Sequence, residues 1–222
     1  MKAWGNAASF TRYDTPAERD TYPMLTVPAA DAILSAVYWH PGMSYEITQI
    51  WVLNPVQIYT WHGSELKDLP TKNGTDVTSN RTPRSKRLIH NPAYLIEARL
   101  VLRPEVRGSA SHWAGKHFGI LQRRLARGQV HEQPYFGQRE YVCNIDVPNG
   151  DERPWAADAD LGPIPLHIQE IPDPRGPLNC TRHRYERDQW VAETYRGRAE
   201  PSFFHGLVRG GILHVPPYRE QA

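Results

Sequence analysis

Cysteine is nearly absent from this 222-residue chain: Cys143 and Cys180 are the only two. That excludes a disulfide framework and a cysteine-based zinc site, and makes a reduced, cytoplasmic setting the expectation. No apolar run approaches the length of a membrane span, so no membrane partner is expected. The opening Met1-Lys2-Ala3-Trp4-Gly5 lacks the apolar stretch of a secretory signal. There is no internal repeat and no low-complexity tract. The ten histidines raise the question of a metal, but His112 and His117 are spaced unlike any standard ligand motif, so no metal and no cofactor is expected.

What is present is ordinary in amount and uneven in placement. The apolar fraction is 40% and the charged fraction 23%, enough for a core that needs no staples. The formal net charge is only +2, yet Arg81 to Gly128 holds eleven basic residues against Glu97 and Glu105, a local +9 that leaves −7 for the rest. A basic centre in a near-neutral chain fits a polyanion site. It equally fits a solvated helix face beside an arginine-rich loop.

The 20 prolines, many of them between short apolar runs, predict short elements and many loops. Residues 2–10 read as a short opening strand. Pro28 to Trp39 reads as a helix, with Ala30, Ile33, Leu34 and Val37 on one stripe and His40-Pro41-Gly42 as its stop. Tyr45 to Leu53 reads as a strand, 60–92 as a long loop or excursion, and Ala93 to Leu102 as an alternating strand. Lys116 to Arg127 reads as an amphipathic helix capped by Gly128, with Phe118, Leu121 and Leu125 on one face and Arg123, Arg124 and Arg127 on another. Arg139 to Val147 reads as a further strand. The order is β-α-β-β-α-β, an α+β ferredoxin-like (RRM-type) unit over residues 1–149. Residues 150–222, with short strand candidates near Pro165–Ile171, Gln189–Thr194 and Gly211–Val215, read as a small β-rich C-terminal region. Such units often bind RNA on the open sheet, although the RRM aromatic signature is missing.

The sharpest local feature is the Lys116-His117 pair, placed by this reading in the first turn of the second helix, where free N–H groups favour an anion. A fixed cation beside an imidazole suits RNA cleavage by its own 2′-OH, which needs proton transfer and charge stabilisation but no metal-made nucleophile. An ordinary Lys-His pair on a solvated helix end has the same sequence. Arg182 to Asp188 mixes both signs and reads as a solvated face, or as an RNA contact. Gly206, Gly210 and Gly211 around Arg209 suit either phosphate approach or strand turns.

Several blocks together resemble one family. Trp4-Gly5, Ala8-Ser9-Phe10-Thr11-Arg12, Glu18-Arg19, Tyr22-Pro23, Thr26-Val27-Pro28-Ala29-Ala30 and Val37-Tyr38-Trp39-His40-Pro41 look like the opening of the type I-C CRISPR-associated Cas-five family, of the RAMP superfamily. Val52 to Val56, Gly115 to Leu125 and Phe136-Gly137-Gln138-Arg139-Glu140-Tyr141 resemble its later blocks, in order, and Leu161-Gly162-Pro163 is a weaker echo. His40 stands where that family often has lysine. The resemblance implies a metal-independent endoribonuclease that cuts the repeat hairpin of pre-crRNA and stays on the 5′ handle of the mature crRNA. Its partners would be the backbone and large subunits of the type I-C surveillance complex and, through it, target DNA. It implies a catalytic set of Tyr38, Lys116 and His117: His117 as proton-transfer group, Lys116 as charge stabiliser, Tyr38 as orienting donor or second acid/base. Arg12, Arg19, Arg123, Arg124, Arg127 and Arg139 become the candidate RNA contacts. A non-catalytic subunit that only caps the 5′ handle is the alternative within the family, and a metal-dependent hydrolase using the histidines is the alternative outside it.

Overall fold

Two antiparallel sheets and two helices make up the computed structural model, which describes residues 1–15, 19–66, 81–104, 110–187 and 189–218. In chain order the elements are β1 (Lys2–Trp4), β2 (Ala7–Ala8), α1 (Val27–Val37), β3 (Met43–Val52), β4 (Gln57–Leu66), β5 (Arg81–His90), β6 (Ala93–Leu102), α2 (Ala110–Ala126), β7 (Asn144–Asp146), β8 (Ala159–Pro172), β9 (Leu178–Glu186), β10 (Gln189–Arg209) and β11 (Ile212–His214). The larger sheet has eight strands in the order β7-β1-β6-β3-β11-β10-β8, with β9 also on β10. The smaller one is β2-β5-β4. This is a mostly antiparallel α+β fold. Among the described residues no helix is long and apolar enough to cross a membrane.

Helix α1 forms where the apolar stripe predicts it. Thr26 enters in extended backbone, a proline occupies the first turn where its missing N–H costs nothing, and Val27, Ala30, Ile33, Leu34 and Val37 are buried. Tyr38 ends the helix in extended conformation while its N–H still bonds Leu34 O. Strand β3 then carries Met43, Tyr45 and Ile47 inward, and after a bulge between Ile47 and Gln49 it carries Ile50 and Val52 inward. Side chains alternate with a period of two, so without that extra residue Ile50 and Val52 would face outward. The core at the opening of the chain is a set of edge-on rings, Phe10, Tyr94 and Phe136, with centroids 5.9–6.5 Å apart. Gly137 sits beside them at φ +81, and a Cβ there would meet Ser9 O at 1.9 Å, so no other residue fits this turn.

Four sequence expectations change. The stretch 60–92 is largely a hairpin: Gln57–His90 through Leu66–Arg81 pair in register, and 67–80 lie outside the described residues. Its polar composition hid it, because β4 is exposed along almost its whole length and has no buried face to impose alternation. The opening strand is split into β1 and β2. The strand expected over Arg139–Val147 shrinks to Asn144–Asp146, and Arg139 lies in the turn before it. Helix α2 starts at Ala110, well before Gly115. Gly115 and Gly119 have open space around them, so glycine costs this helix about 1 kcal/mol of propensity each without breaking it.

The C-terminal strand candidates are present: those near Pro165–Ile171 and Gln189–Thr194 are longer than expected, as β8 and β10, and the one near Gly211–Val215 is shorter, as β11 (Ile212–His214). β10 runs 21 residues, pairing with β9 over Gln189–Gly197 and with β8 over Gly197–Val208. It turns through Gly210 and Gly211, both at positive φ, into β11, which pairs with β3. A Cβ on Gly211 would meet Trp155 O at 2.1 Å, which favours the strand-turn reading of these glycines. Arg209 beside them pairs with Asp158 at 3.3 Å.

Candidate active site

The longer α2 relocates the Lys116-His117 pair. Both lie beyond the first turn of a helix that begins at Ala110, so their environment is a helix flank, and the free N–H groups and positive end of the helix are not at hand. The expected apolar face is also rotated. His117, Leu121 and Leu125 are the buried series, at helical spacing of four, while Phe118 is 52% exposed. An imidazole therefore takes a core position over the end of α1.

There it meets Tyr38. The phenol oxygen lies 2.7 Å from His117 Nδ1, a buried hydrogen bond between residues 79 apart in sequence, with the rings stacked at 5.8 Å. The Tyr38 carbonyl accepts a hydrogen bond from Tyr45 O–H at 2.7 Å, and Arg124 lies over the Tyr38 ring at 5.2 Å while donating to Val37 O at 2.8 Å. The helix stop of α1 is thus clamped from β3 and from α2. His117 itself is 2% exposed, and its Nε2 is buried without a hydrogen-bond partner. An unpaired buried polar atom costs about 1–3 kcal/mol, an expense that a purely structural histidine would avoid.

Around this pair stand His40, with its ring 4.6 Å from His117, and Trp113, stacked on His117 at 5.4 Å. Lys116 is exposed and its ammonium lies 5.2 Å over the Trp113 ring. Trp190 on β10 presents to the His40 ring at 6.4 Å, with Arg103 over Trp190 at 6.0 Å. Burial, then His40 and Lys116, hold the His117 imidazolium below its ordinary pKa; burial and Lys116 do the same to His40. Burial pushes the Tyr38 phenol up. At neutral pH Tyr38 is therefore a protonated phenol, and His117 and His40 are neutral imidazoles. If His117 Nδ1–H donates to the phenol oxygen, Nε2 is a bare lone pair fit to take a proton.

Tyr38→Phe should destabilise the fold by about 1–3 kcal/mol, because it strands His117 Nδ1 as well as removing a bond. Chemical denaturation of the two proteins measures this. A change within about 0.5 kcal/mol would mean that the hydrogen bond carries no net weight.

The arginines expected to bind RNA are scattered. Arg123 and Arg127 are exposed on α2, while Arg124 is turned inward to Tyr38 and Val37, so the three do not form one face. Arg12 is paired with Asp14 at 2.6 Å and lies over the Tyr22 ring, and Arg19 is paired with Glu65. Arg139 is exposed and makes no ion pair among the described residues. In the mixed-charge stretch Arg182 and Arg184 both pair with Glu193, which favours the solvated-face reading, while the His183 ring lies tilted against Trp39 at 4.9 Å. Among the described residues no three His, Cys, Asp or Glu side chains converge as metal ligands.

Sequence reading did not find Tyr45, Trp190 or the part played by Arg124. The same reading gives Trp113, between His112 and His117 in sequence, no role. The available signal was an imidazole at 40 directly after a helix stop; nothing in sequence tied β10 to it.

The family described as CRISPR-associated protein (Cas_Cas5) matches residues 1–207, and the chain belongs to it. A Thermus thermophilus protein named CRISPR pre-crRNA endoribonuclease Cas5d is 33% identical over 221 residues, covering 100% of this chain and 92% of that one. A protein of the same name from Mannheimia succiniciproducens is 26% identical over 235 residues, covering 98% and 94%. Two crystal structures share the fold: a CRISPR-associated protein (TM-score 0.61, 19% identity, 97% of this chain and 89% of that one) and a functionally uncharacterized protein from Streptococcus mutans (0.59, 17%, 97% and 90%).

Proposed function

We propose that this chain is an endoribonuclease that cuts the repeat hairpin of pre-crRNA without a metal, by attack of the RNA's own 2′-OH. The observation that carries the reading is the buried Tyr38–His117 pair with Lys116 beside it on α2. In this reading His117 accepts the 2′-OH proton at Nε2, Tyr38 fixes the ring through Nδ1, and Lys116 steadies the charge on the phosphorane-like transition state. The names of the two relatives support the substrate.

The same reading takes residues 1–149 as a ferredoxin-like RAMP unit, supported by the antiparallel order β7-β1-β6-β3 with α1 and α2 as its two crossovers, and 150–222 as a C-terminal β-rich region. After cutting, the protein stays on the crRNA 5′ handle in the cytoplasm, with backbone and large subunits of a type I-C surveillance complex as partners. The test is a labelled repeat hairpin incubated with the protein in EDTA. The expected products are a 2′,3′-cyclic phosphate and a 5′-hydroxyl; cleavage that appears only on adding divalent metal overturns the mechanism.

One observation favours the non-catalytic, handle-capping alternative: His117 is too buried to touch RNA without some movement of its neighbours. The unpartnered Nε2 weighs against that alternative.

The exposed arginines of α2 supply a second check. Replacing Arg123 and Arg127 by Gln should weaken hairpin binding and lower the log–log salt slope by about 0.7–0.9 for each phosphate that is no longer neutralised. Arg124→Gln should leave the slope alone and lower stability, since its guanidinium is spent on Val37 O and the Tyr38 ring. An unchanged slope in the double variant places this face in solvent.

A further inference from the structure

We propose that His40 is a further catalytic residue of this site: as a neutral imidazole it donates its Nε2–H to a non-bridging oxygen of the scissile phosphate. The inference rests on the endoribonuclease reading and adds to it the group that holds the transition-state oxygen.

Position comes first. His117 is 2% exposed, whereas His40 is only partly buried and lies 4.6 Å from it, on the turn after α1. An RNA phosphate brought to this junction by Lys116 can reach His40 with less rearrangement than it needs to reach His117.

The turn itself fixes what His40 can do. Gly42 N–H donates to His40 Nδ1 at 3.1 Å, and Met43 N–H donates to the His40 carbonyl at 3.1 Å. With Nδ1 occupied as an acceptor, the neutral ring carries its proton on Nε2. Protonating Nδ1, or shifting the ring to the other tautomer, would break the Gly42 bond and set two N–H groups against each other. Proton transfer through this ring is therefore disfavoured, and donation of a fixed hydrogen bond is favoured. The charged group facing it agrees: Lys116 on α2 opposes a further positive charge on the His40 ring. The ring is also held in place, with Trp113 at 6.3 Å and Trp190 at 6.4 Å on its flanks. A donor that needs no reorganisation is the arrangement that stabilises developing charge best.

In the reaction the 2′ oxygen forms its bond to phosphorus as its proton passes to His117. Negative charge builds on the non-bridging oxygens, and the bond to the 5′ oxygen breaks with a proton returned to that oxygen. His40 gains and loses no proton; its hydrogen bond strengthens as the charge grows.

Two amide substitutions separate this role from others. Asn places its carbonyl near the position of Nδ1, so His40→Asn keeps the Gly42 bond and the turn but has no donor at the Nε2 position. Gln places its amide nitrogen near Nε2, so His40→Gln keeps a donor. Single-turnover cleavage of a repeat hairpin at saturating RNA, with affinity and melting temperature measured in parallel, is expected to slow about 10²–10³-fold for His40→Asn. RNA affinity should stay within about twofold, and His40→Gln should recover to within about tenfold of wild type. Wild-type rate in His40→Asn overturns the proposal. So does a His40→Gln protein as slow as His40→Asn, which would mean that a titrating ring is required, and so does a loss of affinity that accounts for the loss of rate. If the wild-type protein leaves the hairpin intact, it is the endoribonuclease reading that fails; if wild type cuts and His117→Ala does not, a fast His40→Asn removes only His40.

Discussion

A repeat hairpin with a 2′-deoxy nucleotide on the 5′ side of the cut is expected to bind with normal affinity and remain uncut. The residues at the α1–α2 junction lead to this result. Burial keeps the Tyr38 phenol protonated, and burial with His40 and Lys116 close by keeps the His117 imidazole neutral, so neither is charged as a nucleophile or set to attack phosphorus. What the pair offers is a proton acceptor, with Lys116 as an exposed cation for the phosphate. In the proposed reaction the attacking oxygen comes from the RNA, and removing it leaves His117 no 2′-OH to activate. A binding titration and a single-turnover cleavage assay on matched ribose and deoxyribose hairpins measure the effect. Normal cutting of the deoxy substrate would show that water attacks, and the assignment of His117 to a 2′-OH would go with it.

The parts of the fold that could be read in the sequence are those with one buried face. Helix α1 shows an unbroken apolar stripe, and β6 alternates from Ala93 to Leu102 because one side of it packs inward. Where both faces are wet the pattern vanishes, as in β4, whose Gln57–Leu66 is exposed, mixes Ile58, Tyr59, Trp61 and Leu66 with polar residues, and pairs with β5 through backbone bonds that leave no trace in composition. Helix α2 shows a different failure. The sequence places its start at Lys116 and the structure at Ala110, because propensity is a weak signal against a tertiary contact. That one error moved Lys116 and His117 to a helix end and suggested the wrong source of electrostatic help.

The site was legible as residue types and illegible as an arrangement. Tyr38 and His117 are joined only because α1 and α2 pack together, and no periodicity connects positions 79 apart. Arg124 looks like a third member of a basic stripe, yet a rotation of one residue along the helix turns it from solvent to the Val37 carbonyl. His40 and Trp190 come from a turn and from a strand about 150 residues later in the chain, and only β10's place in the sheet brings them near each other. The resemblance to a family supplied the catalytic candidates that local pattern left open.

His117→Ala is expected to lower the cleavage rate by about 10²–10⁴-fold and to leave RNA affinity almost unchanged. The chemical part follows from Nε2, which is unpaired and, with Nδ1 committed to Tyr38, is the atom left to take a proton. The binding part follows from burial: a ring 2% exposed offers the ground-state RNA almost no surface to lose. Lys116→Ala should differ, slowing cleavage and weakening binding together, because an exposed ammonium attracts the phosphate before and during reaction. His117→Ala also opens a cavity and strands the Tyr38 hydroxyl, at a cost of about 1–3 kcal/mol, so melting temperatures must accompany the rates. His117→Asn provides the control, since its amide can still meet Tyr38 while offering no proton acceptor of imidazole basicity. Rates at saturating RNA that fall in both His117 variants, with folded protein and intact affinity, place the proton transfer on this ring. A folded His117→Ala protein that cuts at near wild-type rate would remove it from the chemistry and leave the handle-capping subunit as the better reading.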